Sequence, residues 1–176
     1  MATPLTFKKK NPKAVISTKY GIIEIRFFPD LASRHVQNFI NLAKMQFYNG
    51  TTFHRVVPGF LIQGGDPFSK QPDRKLHGTG GPGFSLPPEP SDYPHRRGTV
   101  SMAKMPRTVD TTRDVSDNGS QFFICVEDQS SLDRTYSAFG KVVKGMETVD
   151  KLVTLARDEN DNPLEPVEMT VVITEE

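Results

Sequence analysis

The segment FHRVVPGFLIQGGD, residues 53 to 66, places the guanidinium of Arg55 among mostly apolar residues. A guanidinium stays charged at every physiological pH, so it can donate hydrogen bonds but cannot act as a base. Arg55 could extend its charged end to the surface, or it could pair with an acid such as Asp66. The alternative is a hydrogen-bond donor held over an apolar pocket, which would be a role in binding or catalysis.

Other patterns that could carry chemistry are weak. The glycine-rich segment HGTGGPG, residues 77 to 83, is followed by FSLPPEP, whose prolines disfavour the helix that a phosphate-binding loop requires. We therefore expect a loop in which the backbone approaches its neighbours closely. The sequence contains no GxSxG, HExxH or CxxC motif, and its four histidines, His35, His54, His77 and His95, lack metal-ligand spacing. It predicts no metal and no cofactor.

The segment QFFICV, residues 121 to 126, has the alternation of a strand. Side chains of a strand alternate between its two faces, so Phe122 and Ile124 would share one face, and Gln121 and Phe123 the other. If the first pair fills a core, Phe123 is an exposed ring, and an exposed ring within a wider apolar patch indicates a binding site.

Composition limits the class of protein. The chain has 176 residues, 36% of them hydrophobic and 24% charged, with a formal net charge of +1. These values predict one globular domain, residues 1–176, without a membrane span or a basic nucleic-acid surface. The N-terminal sequence lacks the apolar stretch of a secretory signal, and the single cysteine, Cys125, suits a reducing compartment as a buried apolar residue. We expect a cytoplasmic monomer.

Periodicity predicts eight strands and two helices. Asp30 or Ser33 would cap the first helix and Asn49-Gly50 would end it, and the second helix would span 146 to 156. The strands are predicted at 14–18, 21–28, 53–57, 60–64, 98–103, 121–126, 137–143 and 167–175, with a Pro58-Gly59 turn between the third and fourth. Many strands and two distant helices favour an antiparallel barrel or sandwich, and the helices could close the ends of a barrel. The loops 66–97 and 104–119 are long enough to be functional.

Several blocks together resemble the cyclophilin family of peptidyl-prolyl cis-trans isomerases, over roughly residues 13 to 174. They are FHRVVPGFLIQGGD, GTGGPG, SMA, NGSQFFICV, SLDRTYSAFG and KVVKGMETVD, in this order. The resemblance is to bacterial members and implies a mainly β fold: a closed eight-stranded antiparallel β-barrel capped by two α-helices. Residues 1–12 would be a loose N-terminal extension.

The resemblance also implies a site on the outer face of the barrel, with Arg55 as the catalytic donor to the prolyl nitrogen. It implies that Phe60, Leu61 and Phe123 surround the proline ring, that Gln63 and Gln121 make polar contacts, and that Leu132 closes the pocket with Ser131 and Tyr136 at its rim. Gly78, Thr79 and Ala103 would border the pocket for the preceding residues, the backbone of Lys104 would bind the peptide main chain, and His54 would lie nearby. Substrates would be proline-containing peptides and unfolded or flexible proteins, with no cofactor.

This sequence departs from the family at several places, three of which border the implied site. Ser131 stands where many members have tryptophan, which implies weakened affinity for cyclosporin-like ligands, and Tyr136 stands where histidine is common. The segment MPRTVDTTRDVSD, residues 105 to 117, is partly inserted. We hypothesise that this loop influences partner choice, so that shortening it should change selectivity among peptides. A different class of function also remains open, a proline-binding module or chaperone without essential turnover.

Overall fold

The computed structural model describes residues 11–105 and 116–175, which form one antiparallel sheet and two helices. The predicted N-terminal extension lies outside the described residues except for its last two positions, as does most of the loop 105–117. The strands are β1 (Pro12–Thr18), β2 (Gly21–Phe27), β3 (Arg55–Val57), β4 (Leu61–Gly64), β5 (Thr99–Lys104), β6 (Asp117–Cys125), β7 (Ala138–Lys144) and β8 (Thr170–Glu175).

The predicted hairpins are confirmed. β1 and β2 form an antiparallel pair that begins beside the turn, where Thr18 lies opposite Gly21. β3 and β4 are joined through Pro58 and Gly59, and Gly59 has a φ of 71°. Proline presets the first corner of such a turn, and glycine adopts a positive φ without a steric penalty.

The sheet is open, so the predicted closed barrel is wrong in this respect. The strand order is β3-β4-β6-β5-β7-β2-β1-β8, which leaves β3 and β8 as edges. The edges approach through the segments before them: Thr52 forms an isolated bridge with Glu168, and the Phe53 N–H donates to the Val167 carbonyl. β3 has only three residues, so it is too short to form a ladder of hydrogen bonds with β8. The result is a curled, mainly β half-barrel.

The helices are α1 (Ser33–Lys44) and α2 (Met146–Val153), both shorter than predicted. After α1 the chain turns back to the sheet, where the Gly50 N–H donates to the Met169 carbonyl. Neither Asp30 nor Ser33 caps α1. Its N-cap is Ala32, and the carboxylate of Glu89 accepts the free N–H groups of Arg34 and His35. A distant loop therefore supplies the cap that free helical N–H groups need.

The main core lies between α1 and the inner face of the sheet. Phe39 of α1 is fully buried, and its ring centroid lies 4.8 to 5.6 Å from those of Tyr48, Phe27, Phe122 and Phe139. Phe122 and Ile124 are both in this core, as the alternation in QFFICV predicts. This core fixes which face of β6 points outwards.

Candidate active site

One row of residues crosses three strands on the outer face of the sheet. Arg55 lies opposite Gln63 in the β3–β4 ladder, and Gln63 lies opposite Phe123 in the β4–β6 ladder. The neighbouring row contains Val56, which is fully buried in the main core. Since adjacent rows of a sheet point to opposite faces, Arg55, Gln63 and Phe123 share the outer face.

The outer face carries a second apolar cluster, separate from the main core. This outer-face cluster consists of Leu61, Ala103, Phe123 and Cys125, with the partly buried Phe60, Leu132 and Tyr136 packed against it. The Phe123 ring is only 2% exposed, so the prediction of an exposed ring is wrong. Tyr136 packs edge-on against it, with centroids 5.6 Å apart and an angle of 81° between the rings. Phe123 therefore forms the base of the cluster, beneath its partly exposed members.

Arg55 is half-buried beside this cluster. Its guanidinium carbon lies 5.9 Å from the centroid of the Phe60 ring, and its Nη1 donates to Gln63 Oε1 at 3.3 Å. The carboxylate of Asp66 instead accepts backbone N–H groups, so the alternative in which Arg55 pairs with Asp66 is wrong. Among the described residues Arg55 forms no ion pair, and Gln63 Oε1 is the one hydrogen-bond acceptor of its guanidinium.

A chain of side-chain amides continues from Arg55. Gln63 Nε2 donates to Gln121 Oε1 at 3.0 Å, and Gln121 Nε2 donates to the carbonyls of Gly78 and Gly80 at 3.0 and 2.8 Å. Because each amide nitrogen has a carbonyl acceptor, the Gln63 oxygen is oriented towards Arg55. The glycine loop thereby fixes the guanidinium through two glutamines.

The glycine loop is held by a buried carboxylate. Asp66 is fully buried and accepts the N–H groups of Phe68, Gly78 and Gly80. A Cβ at Gly80 would lie 2.4 Å from Asp66 Oδ1, so only glycine allows this approach. The predicted close approach of the backbone in this loop is confirmed.

His54 lies on the same side of the site as Gly78. It is 5% exposed, and a Cβ at Gly78 would lie 3.4 Å from its Nε2. Burial lowers the pKa of His54 to about 4, against the smaller opposing effect of Asp66. The imidazole is therefore neutral at physiological pH.

The remaining predicted residues surround the cluster at different depths. Ala103 is buried in it, and Lys104 Nζ lies 5.3 Å from the centroid of the Tyr136 ring. Thr79 is exposed, and its hydroxyl donates to the Leu76 carbonyl. Ser131 is exposed in the short 3₁₀ turn Ser130–Leu132, next to a member of the cluster.

Sequence reasoning missed a polar group beneath the cluster. The His95 ring stacks at 6.4 Å from Phe123, its Nε2 lies 2.7 Å from Ser101 Oγ, and its backbone N–H donates to Asp133 Oδ1 at 2.7 Å. Burial lowers the pKa of His95, and the hydrogen bond to Asp133 opposes this only in part. Strand alternation could have identified Ser101, which lies opposite Phe123, but no sequence signal marks His95.

The part of the chain that the structure describes contains neither a metal-binding cluster nor a membrane-spanning helix. Residues 11–105 and 116–175 contain no group of three or more His, Cys, Asp or Glu side chains able to bind a metal ion. Over the same ranges, no helix has the length and apolar character that spanning a bilayer requires.

The curled sheet and its outer-face cluster define a β protein with an apolar, arginine-flanked surface site, and comparison with known proteins assigns its family. The family model described as "Cyclophilin type peptidyl-prolyl cis-trans isomerase/CLD" matches residues 13–174. A peptidyl-prolyl cis-trans isomerase of Synechococcus elongatus is 40% identical over 151 residues, covering 81% of this chain and 94% of the relative. One from Helicobacter pylori is 41% identical over 147 residues, covering 81% of each.

A solved structure is similar as well. The cyclophilin-type peptidyl-prolyl cis-trans isomerase of Cryptosporidium parvum, crystallised in the presence of the dipeptide Ala-Pro, superposes with a TM-score of 0.80 at 30% identity. The match covers 92% of this chain and 98% of that one. The chain belongs to the cyclophilin-type peptidyl-prolyl cis-trans isomerase family.

Proposed function

We propose that this isomerase binds Xaa-Pro segments on its outer-face cluster and that Arg55 is the catalytic donor. The observation that carries this proposal is the position of the Arg55 guanidinium, 5.9 Å from the Phe60 ring and without a carboxylate partner among the described residues. A proline ring packed on Phe60, Leu132 and Tyr136 would bring its nitrogen towards that guanidinium.

The chemistry needs no covalent intermediate. Rotation about an Xaa-Pro bond is slow, about 10 to 100 s, because resonance gives the C–N bond partial double-bond character. A hydrogen bond from Arg55 to the prolyl nitrogen favours a pyramidal nitrogen and so reduces this resonance, most strongly in the twisted transition state. The apolar surface removes water from the amide, which disfavours its charge-separated resonance form.

One hydrogen bond and the positioning of the proline ring are sufficient for the acceleration that isomerisation requires. A turnover of about 10 per second needs a gain of roughly a hundred- to thousandfold, or about 3 to 4 kcal/mol. One charge-assisted hydrogen bond contributes about 1.5 to 3 kcal/mol, and positioning of the proline ring supplies the remainder. Amide hydrolysis would require at least about 8 kcal/mol together with an activated nucleophile.

The other site residues would bind and orient the peptide. Phe60, Leu61, Phe123 and Leu132 would form the proline subsite, with Ser131 and Tyr136 at its rim. Gln63 and Gln121 would make polar contacts, the backbone of Lys104 would bind the main chain, and Gly78, Thr79 and Ala103 would border the subsite for preceding residues, near His54. The presence of Ala-Pro in the related crystal supports a proline-containing ligand.

In the cell, the substrates would be unfolded or flexible proteins whose folding waits for proline isomerisation. We propose a single-domain cytoplasmic monomer that assists folding and uses neither metal nor cofactor. It would bind neither nucleic acid nor membrane, since the net charge of +1 provides no general attraction to phosphates. Cyclosporin-like ligands would bind with weakened affinity.

Arg55→Ala tests the catalytic role. In a protease-coupled assay with an Xaa-Pro peptide, isomerisation should fall about ten- to a hundredfold or more, while peptide binding should fall less. Arg26→Ala, at an exposed arginine of β2, is the matched control and should keep full activity. Equal losses of binding and turnover would contradict the role of Arg55 as a transition-state donor. A wild type that binds the peptide without turnover would leave only the binding-module alternative.

A further inference from the structure

A buried charged group lies behind the site, where α1 meets the sheet. His35 of α1 is fully buried, with its Nδ1 2.5 Å from Glu89 Oε2 and its Nε2 2.7 Å from Asp117 Oδ2. Ionised carboxylates only accept hydrogen bonds, so both ring nitrogens must donate. This geometry describes an imidazolium between two carboxylates.

The remaining contacts of Asp117 agree with an ionised carboxylate. The Ser137 hydroxyl oxygen accepts the Glu89 N–H at 2.8 Å and lies 2.6 Å from Asp117 Oδ2, to which it can donate its proton. Lys104 Nζ donates to Asp117 Oδ1 at 3.3 Å. Asp117 thus receives three donors, two of them positively charged.

Lys104 connects this group to the outer-face cluster. Its ammonium lies between Asp117 Oδ1, at 3.3 Å, and the centroid of the Tyr136 ring, at 5.3 Å. Tyr136 in turn packs edge-on against Phe123. The rim of the proposed proline subsite is therefore in contact with a cation that also forms an ion pair with Asp117.

We propose that His35 is a positioning residue for substrate binding. As an imidazolium it shares the charge of Asp117 with Lys104 and so allows the Lys104 ammonium to stay over the Tyr136 ring. Without the His35 proton, the carboxylates of Glu89 and Asp117 face only the Lys104 ammonium among the described residues, and this ammonium is drawn towards Asp117 and away from the ring. The Tyr136 ring at the rim of the subsite then loses its cation, while Arg55 is unaffected. This inference rests on the proposed function of the outer-face cluster.

The direction of the pH dependence follows from the groups around the imidazole. Burial would lower the pKa of His35, but the hydrogen bonds to Asp117 and Glu89 outweigh it and raise the pKa above its usual value of 6.5. Among residues 11–105 and 116–175, the charged groups that act on the imidazole are these two carboxylates, with Lys104 behind Asp117, and the facing residue of β7, Phe139, is uncharged. The imidazolium persists at low pH and is lost as pH rises through that raised pKa.

The test is a comparison of steady-state kinetics with a histidine NMR titration between pH 6 and pH 9. For the wild type, KM for an Xaa-Pro peptide should rise about two- to fivefold with the same midpoint as the His35 imidazole, while kcat stays constant. His35→Gln should remove this step. His77→Gln, a histidine near Gly78 and outside this charged group, should retain it.

Glu89→Gln serves as a second variant in case His35→Gln does not fold. It removes one carboxylate from the imidazolium, so the midpoint of the KM step should move to lower pH, an effect that loss of packing alone would not produce. A flat KM in an active wild type, a step that persists in His35→Gln, or an unmoved midpoint in Glu89→Gln would overturn the role of His35. A wild type without isomerase activity at pH 6.5 would instead contradict the proposed function itself.

Discussion

Gln63 lies opposite Arg55 in the β3–β4 ladder and accepts a hydrogen bond from its guanidinium at 3.3 Å. The other end of the same amide donates to Gln121 at 3.0 Å. Gln63 therefore joins the proposed catalytic donor to the glycine loop without neutralising its charge. An amide suits this position because it accepts on one side and donates on the other.

Gln63→Glu should reduce turnover more than Gln63→Leu. A carboxylate would bind the Arg55 guanidinium directly and compete with the prolyl nitrogen, whereas leucine would only remove the orienting contact. We expect kcat/KM to fall roughly threefold to tenfold in Gln63→Leu, the cost of one hydrogen bond, and further in Gln63→Glu. Protease-coupled assays of both variants measure this difference. A Gln63→Glu variant more active than Gln63→Leu would contradict the competition for Arg55, and a fully active Gln63→Leu would contradict the orienting role.

Asp66→Asn should destabilise the protein and reduce isomerase activity together. The Asp66 carboxylate is fully buried and accepts three backbone N–H groups, and an amide would place an N–H donor among them. The free energy of unfolding should fall by about 1 to 3 kcal/mol. Urea unfolding measures this loss. The matched control is Asp73→Asn, at an exposed carboxylate that accepts one N–H, from Lys75; a comparable loss there would exclude a special role for Asp66.

The imidazole of His54 should remain neutral down to about pH 5, because its pKa is about 4. The unfolded chain, with a histidine pKa near 6.5, binds this proton first as pH falls. The free energy of unfolding is therefore unaffected by His54 protonation above pH 6.5. As pH falls from 6.5 to 4, it decreases progressively, by roughly 3 kcal/mol in total.

NMR titration of the His54 ring and the pH dependence of unfolding measure these two expectations. His54→Gln should show a shallower loss of stability than the wild type over this range. A ring that titrates near pH 6.5 in the folded protein would show that burial does not govern its charge.

Ser131→Trp should strengthen binding of a cyclosporin-like ligand. Residue 131 is exposed beside Leu132 of the outer-face cluster, and an indole N–H there would restore the donor common in the family. One added hydrogen bond would tighten Kd by roughly twofold to tenfold. Calorimetric titration measures the change, with Ser130→Trp in the same 3₁₀ turn as the control. An equal gain in the control would indicate nonspecific apolar contact.

The local elements were predictable because their causes are local. Alternation in QFFICV separates Phe122 from Phe123, and the Pro58-Gly59 pair specifies the turn between β3 and β4. The residues of the site were named by the resemblance and not by these local patterns. The N-cap of α1 was predicted wrongly, since the acceptor of its first free N–H groups is Glu89, more than 50 residues along the chain.

The sequence by itself determined the eight strands, the two helices and which face of β6 enters the core, because side-chain periodicity acts within each element. Only the tertiary structure decided that Arg55, Gln63 and Phe123 form one row, since the register between strands sets which residues are opposite. It also decided that the sheet stays open and that His35 lies between Glu89 and Asp117. The contacts of His35 with Glu89 and Asp117 join residues more than 50 positions apart, and no pattern within a single segment encodes them.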